Sequence, residues 1–255
     1  MADRSTTILV LGAGGLVGRH LAALGTPGLE RSACDVCSDA DRARVLAEYR
    51  PRAVIYCAAQ ASVDACETDP GAWAVNAAAP AAWAREVPLW YVSSNFVFSG
   101  AGPHAVDSPA APLQAYGRQK LAAERGVLAA GGRVVRTGWV YGVGGRNFLS
   151  TLPAQLRQGP VRAFGGMNIQ PTWAGDLAKL LLTLPAGVTH AVGCETTSFA
   201  EAARTVAAAL GCQAAVTEVL NPQGLLAAAR PADARLEPAT LPGWSTRWRE
   251  LLAER

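Results

Sequence analysis

Three stretches of the chain carry groups that could do chemistry. Gly12-Ala13-Gly14-Gly15-Leu16-Val17-Gly18 sets glycines at the first, fourth and seventh places of a Gly-x-x-Gly-x-x-Gly run. With no Cβ in the way, backbone N–H groups of such a turn can close on a pyrophosphate at a helix N-terminus, where unpaired donors and the helix dipole favour anions. Tyr116 and Lys120, in Tyr116-Gly117-Arg118-Gln119-Lys120, are four residues apart and so share one face of a helix. A phenol with an ordinary pKa of about 10 needs help to exchange a proton near neutrality, and a neighbouring ammonium supplies it. A solvated lysine beside a half-buried tyrosine has the same spacing. Ser93-Ser94 closes an apolar run upstream of that helix and offers a hydroxyl.

These groups need a frame to hold them together. Apolar, β-rich runs recur at Thr7 to Leu11, weakly near Leu29, at Ala53 to Cys57, at Leu89 to Ser93 and at Arg133 to Arg136. Helical stretches lie between them, an alternation that predicts a parallel sheet with crossover helices. Asp39 or Asp41 can cap a helix through Leu46 to Tyr49 that Pro51 ends. Asp69-Pro70 opens another, through Trp73 and Asn76 toward Arg85, and Ala115 to Ala130 is a helix stopped by Gly131-Gly132. After Tyr141 come a Gly-rich loop and helices at Asn147 to Gln158, Gly175 to Leu184 and Phe199 to Leu210, a tail suited to cap the carboxyl edge of the sheet, where such folds bind ligands. Gly100 to Pro112 reads as a surface excursion.

In the 255 residues, 23 Lys+Arg against 20 Asp+Glu leave a net charge of +3, with 17% charged and 50% apolar residues. This excludes a disordered polyelectrolyte and gives a nucleic-acid partner no support. The length suits one large α/β domain, or one with a small partner. Cys34, Cys37, Cys57, Cys66, Cys194 and Cys212 lack paired spacings and read as reduced thiols. Cys34-x-x-Cys37 could be half of a redox or metal site, but no second pair follows and His20, His104 and His190 are scattered, so no metal is expected. Asp3 and Arg4 lead straight into Ile8-Leu9-Val10-Leu11, too short for a signal core or a membrane span, and the expectation is a cytoplasmic protein with no membrane partner.

Together, the glycine turn, the Ser-bearing strand end and the Tyr-Lys helix resemble the extended short-chain dehydrogenase/reductase superfamily. Further stretches are similar to the dTDP-4-dehydrorhamnose reductase family. They are Arg50-Pro51 with Ala58-Ala59-Gln60-Ala61-Ser62-Val63-Asp64-Ala65-Cys66-Glu67; Val75-Asn76-Ala77; Val92 to Gly100; Arg136-Thr137-Gly138-Trp139-Val140-Tyr141-Gly142 with Asn147-Phe148; Pro171-Thr172 with Asp176-Leu177-Ala178; and Ala229-Arg230-Pro231 with Leu236. The resemblance covers nearly the whole chain. It implies a Rossmann-type doubly wound parallel sheet, with 1–142 as the NAD(P)-binding part and 143–255 as a small substrate-binding subdomain interleaved with it. It also implies an NAD(P)H-dependent oxidoreductase that reduces a ketone, and it leaves room for a homodimer.

By that resemblance Ser94 matches the catalytic Thr/Ser, Tyr116 the proton donor, and Lys120 the residue that binds the nicotinamide ribose and lowers the Tyr pKa. Ser94 would hold the substrate carbonyl beside the nicotinamide while Tyr116 protonates the developing alkoxide. The cofactor set is Gly12, Gly14, Gly15, Leu16, Val17, Gly18, Glu30, Arg31, Asp35, Val36, Ala58, Ala59 and Asn76, with Tyr116 and Lys120. Asn76 would help to position the catalytic helix, or else face solvent within its own. The substrate set is Gln60, Ser62, Val63, Asn95, Phe96, Trp139 and Asn147, with core packing the plain alternative for Trp139.

The chain also departs from the family. Where the family has Ser-Thr-Asp-Tyr-Val-Phe-Asp-Gly, this chain has Ser93-Ser94-Asn95-Phe96-Val97-Phe98-Ser99-Gly100, and Gly166-Met167-Asn168-Ile169-Gln170 replaces the Asp-Gln before Gly-x-Pro-Thr. Polar groups that could contact a sugar are thereby lost. Between Gly18 and Asp35 the chain is shortened, where an acidic residue favours NAD and a basic one NADP; Glu30 and Arg31 pull in opposite directions, and Arg19 tilts the reading toward NADPH. Three functions are therefore open: a reductase of a 4-keto-6-deoxy nucleotide sugar, a reductase of a natural-product ketone or imine, and a non-catalytic dinucleotide-binding subunit like the regulatory subunit of methionine adenosyltransferase.

Overall fold

The structure, a computed structural model, describes residues 7–145, 147–212, 216–220 and 226–253, so Asp3 and Arg4 lie outside it. In chain order the elements are β1 (Ile8–Leu11), α1 (Leu16–Ala23), β2 (Gly28–Leu29), α2 (Asp39–Tyr49), β3 (Ala53–Tyr56), α3 (Ala79–Ala84), β4 (Leu89–Ser94), α4 (Ala115–Ala129), β5 (Arg133–Thr137), β6 (Val140–Tyr141), α5 (Phe148–Gln158), β7 (Val161–Phe164), β8 (Thr172–Trp173), α6 (Ala174–Leu182), β9 (Gly187–His190), α7 (Phe199–Ala209), β10 (Val216–Val219), α8 (Trp244–Arg247) and α9 (Glu250–Ala253).

The main sheet has the order β2-β1-β3-β4-β5-β9, with every described pairing parallel. The strand order reverses beside β1, between β2 and β3, the switch point where open α/β sheets leave a crevice. Because successive strand residues face opposite ways, the apolar runs supply two cores. Leu9, Leu11, Val54, Tyr56, Leu89, Tyr91 and Val134 pack on one face with Val45, Trp83, Ala123 and Val127 from α2, α3 and α4. Ile8, Val10, Ala53, Ile55, Trp90 and Val135 pack on the other with Leu21 of α1 and Leu177 and Leu181 of α6. Each such side chain contributes roughly 1.5–3 kcal/mol when fully buried. A third cluster joins α5, α7 and α8 around Trp173 and Phe199, beside two-stranded pairings β10-β7 and β6-β8.

Local chemistry accounts for several element ends. Helix α2 is capped by Ser38, whose Oγ accepts from Asp41 N at 3.2 Å, and not by Asp39 or Asp41, which occupy its first turn. At α5, Asn147 Oδ1 accepts from Ser150 N at 3.0 Å while Ser150 Oγ accepts from Asn147 N at 2.9 Å. The helix expected from Asp69-Pro70 to Arg85 is interrupted by a π-helical turn at Ala74–Ala78 before α3. Pro80 has no N–H to give the Asn76 carbonyl one turn back, so the turn widens and the Tyr91 hydroxyl donates to that carbonyl at 2.8 Å. The 100–112 loop is less detached than expected, since His104 is buried on the Phe98 ring and exchanges backbone hydrogen bonds with Arg235 and Glu237.

Candidate active site

The turn between β1 and α1 is built around close backbone approaches. Gly12 has φ +85°, and a Cβ there would stand 2.6 Å from Ala58 N; a Cβ on Gly18 would stand 2.3 Å from Gly12 O. Gly15 opens α1 with no side chain capping its first turn, which leaves N–H donors aimed outward. A cleft of about 670 Å³ lies over this turn, walled by Gly12, Gly14, Gly15, Glu30, Arg31, Asp35, Val36, Ala58 and Ala59. The Glu30 carboxylate lies across Gly14, its Oε1 3.3 Å from where a Cβ there would be. Bare backbone and an uncapped helix start are what a pyrophosphate requires, so the residues present fit a dinucleotide.

A second cavity, about 590 Å³, shares Gly15, Cys57 and Ala59 with the first. Leu16, Val17 and Gly18 face this one, together with Ser62, Val63, Ser94, Asn95, Phe96, Tyr116, Lys120, Trp139 and Asn147. Two elements deliver the reactive groups: Ser94 ends β4, and α4 carries Tyr116 and Lys120 one turn apart. Gly117 lets α4 approach that strand end, since a Cβ would meet Phe96 O at 2.1 Å. Helix α4 has no local side-chain cap; Glu67 Oε1 accepts from Ala115 N at 2.8 Å instead.

The Lys120 Nζ donates to Val92 O at 3.0 Å and lies 4.7 Å from the Tyr91 ring centre and 5.6 Å from that of Tyr116. Burial lowers its pKa to about 8 from an ordinary 10.5. Burial and the Cys66 thiol push the Tyr116 phenol above its ordinary range, and a hydrogen bond with Ser94 alone draws it back. The net shift is upward where the Tyr-Lys spacing led one to expect a lowered value, and the phenol stays protonated near neutrality. A protonated phenol is the form a proton donor needs.

Some expected contacts are redistributed. Asn76 is fully buried and lines neither cavity; its Nδ2 donates to Gln119 Oε1 at 2.8 Å on α4 and to Gln60 O at 3.1 Å, and its Oδ1 accepts from Gln60 N at 3.0 Å. Neither direct cofactor contact nor solvent exposure fits it. Gln60, expected on the substrate, faces the dinucleotide cleft, with its amide on Asp69. Asn95 turns its Nδ2 to Ala234 O at 3.0 Å and accepts from Ser94 Oγ, so both ends of its amide are engaged within the protein. Trp139 packs against the third core cluster and also faces the cavity. It adopts φ +48°, a strained value for a bulky residue, packs edge-on to Phe96 and Phe199, and still walls the cavity.

Sequence reasoning missed Thr137 and Arg230. Thr137 pairs with Ser94 in the β4-β5 register, lines the cavity and has a buried Oγ1 with no hydrogen-bond partner among the described residues. Arg230 reaches the same wall from the C-terminal segment, 166 residues beyond Asp64, which it contacts. Asn147, expected here, brings a buried Nδ2 that likewise has no partner among the described residues. Beyond Trp139, Asn147 and Arg230 the cavity adjoins an apolar pocket of about 300 Å³ lined by Phe148, Phe164, Met167 and Phe199.

A parallel sheet whose glycine turn opens on a cleft, with a Ser-Tyr-Lys set at its carboxyl edge, is the architecture of the extended short-chain dehydrogenase/reductase class. Within that class, the chain belongs to the family described as RmlD substrate binding domain, whose model matches residues 6–254. The dTDP-4-dehydrorhamnose reductase of Streptomyces griseus is 35% identical over 251 residues, covering 88% of this chain and 82% of that protein. The probable dTDP-4,6-dihydroxy-2-methyloxan-3-one 4-ketoreductase of Streptomyces antibioticus is 36% identical over 226 residues, covering 78% and 75%. Among solved structures, the dTDP-4-dehydrorhamnose reductase of Bacillus anthracis in complex with NADP shares the fold at a TM-score of 0.90 and 24% identity, over 98% of this chain and 100% of that one.

Proposed function

We propose that the chain is an NAD(P)H-dependent reductase of a 4-keto-6-deoxy nucleotide sugar, of the dTDP-4-dehydrorhamnose reductase type. The observation that carries this reading is the meeting of Ser94, Tyr116 and Lys120 in one cavity that opens into the glycine-floored cleft. Gly12 to Gly18 would hold the pyrophosphate, and Glu30, Arg31, Asp35 and Val36 the adenosine end. A nicotinamide dinucleotide, when bound, supplies hydride to the carbonyl carbon. With it bound, Ser94 would hold the carbonyl oxygen, Lys120 would hold the nicotinamide ribose, and Tyr116, kept protonated by burial, would give its proton to the alkoxide oxygen as charge develops there. Either NADP or NAD can serve; Arg19 and Arg31 favour NADPH, and Glu30 opposes them.

Arg230 suits the anionic part of such a substrate. It spends one N–H on Asp64 and another on Ala228 O, which leaves further donors of its five-donor fork on the cavity wall. Residues 143–255 would form the substrate-binding part, interleaved with 1–142 through α6 and β9. No group of three or more His, Cys, Asp or Glu among the described residues could hold a metal ion, and none of their helices is long and apolar enough to cross a membrane. We place the enzyme in the cytoplasm, acting on a small molecule.

A second reading keeps the chemistry and changes the substrate. The apolar pocket beside the cavity, with an inward-tied Asn95 and a phenyl at Phe96, favours a natural-product ketone or imine. Cofactor oxidation by the purified protein decides between them. Turnover of dTDP-4-keto-6-deoxy sugars supports the first reading, and turnover confined to non-nucleotide ketones or imines supports the second. Cofactor binding with no turnover of either class rejects both and leaves the non-catalytic role.

A further inference from the structure

We propose that Glu124 is a positioning residue of this reductase: its carboxylate, clasped by Ser93 and Arg136, locks the Tyr116–Lys120 face of α4 onto the strand end bearing Ser94 and keeps a negative charge one turn beyond Lys120. The inference rests on the reductase reading. Tyr116, Lys120 and Glu124 succeed one another at four-residue steps, so they line one stripe of the helix. Glu124 is 1% exposed and Arg136 7%. Ser93 Oγ donates to Glu124 Oε1 at 2.5 Å, Arg136 Nε to the same oxygen at 3.0 Å, and Arg136 Nη2 to Oε2 at 2.8 Å. The guanidinium is itself held by Val106 O at 3.0 Å and lies 4.9 Å from the Phe98 ring centre.

The register makes the clasp mechanical. Ser93 pairs with Arg136, and the next pair along the ladder is Ser94 with Thr137. Ser93 lines the reaction cavity beside Ser94, so the clasp grips the two strands at the cavity wall itself, on the side where α4 packs. Stability alone does not account for a buried ion pair here, because apolar residues of similar volume commonly serve as well or better. Position does account for it.

Charge gives the clasp a second effect. The groups facing Lys120 are the thiols of Cys57 and Cys66 from the β3 side, the rings of Tyr91 and Tyr116, the Val92 carbonyl and Glu124. Burial pulls the ammonium toward neutrality, while Glu124, after the two thiols, pulls the other way. Loss of the carboxylate would therefore both loosen α4 and discharge Lys120 at lower pH.

The test is Glu124→Gln, read in two ways. A side-chain NMR titration of Lys120 in the cofactor-free protein should shift to lower pH by about one pH unit. In turnover, kcat should fall on the order of ten- to a hundred-fold with little change in KM, the alkaline limb of the pH profile should move down with Lys120, and Glu124→Asp should recover part of both. An unmoved Lys120 titration or an unmoved alkaline limb overturns the proposal, since a merely structural role would cost stability without touching either. If Glu124→Gln does not fold, the E124Q/R136M double variant removes both charges and leaves no orphaned guanidinium; Lys120 should still titrate lower in it, and an unchanged value overturns the proposal. If the wild-type protein reduces no ketone, the reductase reading fails on its own account, and the NMR titration still decides whether Glu124 sets Lys120.

Discussion

Asp64 and Arg230, 166 residues apart in sequence, meet as an ion pair with Oδ2 and Nη2 at 2.7 Å on the wall of the reaction cavity. Asp64 Oδ1 also accepts from Ala228 N at 2.9 Å, so one carboxylate fastens the C-terminal segment to the loop after β3. Burial raises the Asp64 carboxyl, but the Ala228 N–H and the Arg230 guanidinium together hold it below its ordinary pKa. Replacing Arg230 by Gln removes the charge and keeps the stem. For a nucleotide-sugar substrate, KM should rise on the order of ten- to a hundred-fold, the loss expected for charge-assisted hydrogen bonds of about 1.5–3 kcal/mol. Steady-state kinetics checks this; an unchanged KM removes Arg230 from substrate binding.

Tyr116→Phe deletes the proton donor and little else. Cofactor affinity, measured by fluorescence titration, should hold, while kcat falls by about 10²- to 10⁴-fold, the usual worth of a positioned acid. Turnover equal to wild type would end the proton-transfer role given to this hydroxyl.

Glu30 lies across the glycine turn, where a carboxylate can accept the hydroxyls of an adenosine ribose and repel a phosphate in their place. Glu30→Ala should therefore worsen KM for NADH on the order of ten- to a hundred-fold, at about 1.5–3 kcal/mol for lost hydrogen bonds to a charged group, and leave or improve that for NADPH. Equal changes for the two cofactors contradict this.

Lys120 titrates at about 8 in the folded protein against 10.5 ordinarily. The unfolded chain thus binds more protons between those values, so the burial cost of the ammonium is present below the window and is relieved as pH rises through it. Relative to Lys120→Met, wild-type stability should rise by on the order of 3 kcal/mol across the window. Urea unfolding of both proteins at neutral pH and at about pH 10 measures the difference, and a pH-independent difference would show that the ammonium is not desolvated.

What the sequence made legible was local. The glycine turn, the Tyr116 and Lys120 spacing and the strands from Ile8 to Thr137 each depend on near neighbours, and period and turn chemistry reveal them. Groups joined only by folding stayed hidden. Nothing near Asp64 announces Arg230, nothing near Ala115 announces that Glu67 will bind its N–H, and Gln60 stands on the cleft side because Asn76 and Asp69 hold it there. The upward shift of the Tyr116 phenol is hidden for a similar reason, since pair spacing reveals a neighbouring charge and says nothing about how completely the pair is enclosed. Pro80 was in plain view, and its missing N–H was the available sign that the helix would break.

That break sets the phase of everything around it. A π-helical turn inserts one residue into a helix and so rotates the segment before it by about 100° relative to the segment after it. At its start, Ala74 and Val75 turn toward the dinucleotide cleft; downstream, Trp83 turns into the core and its Nε1 donates to Val36 O at 3.0 Å, bracing the far lip of the same cleft. A regular helix over this span would shift the two ends out of this phase, so a single imino acid buried behind the wall bears on which side chains reach the slot.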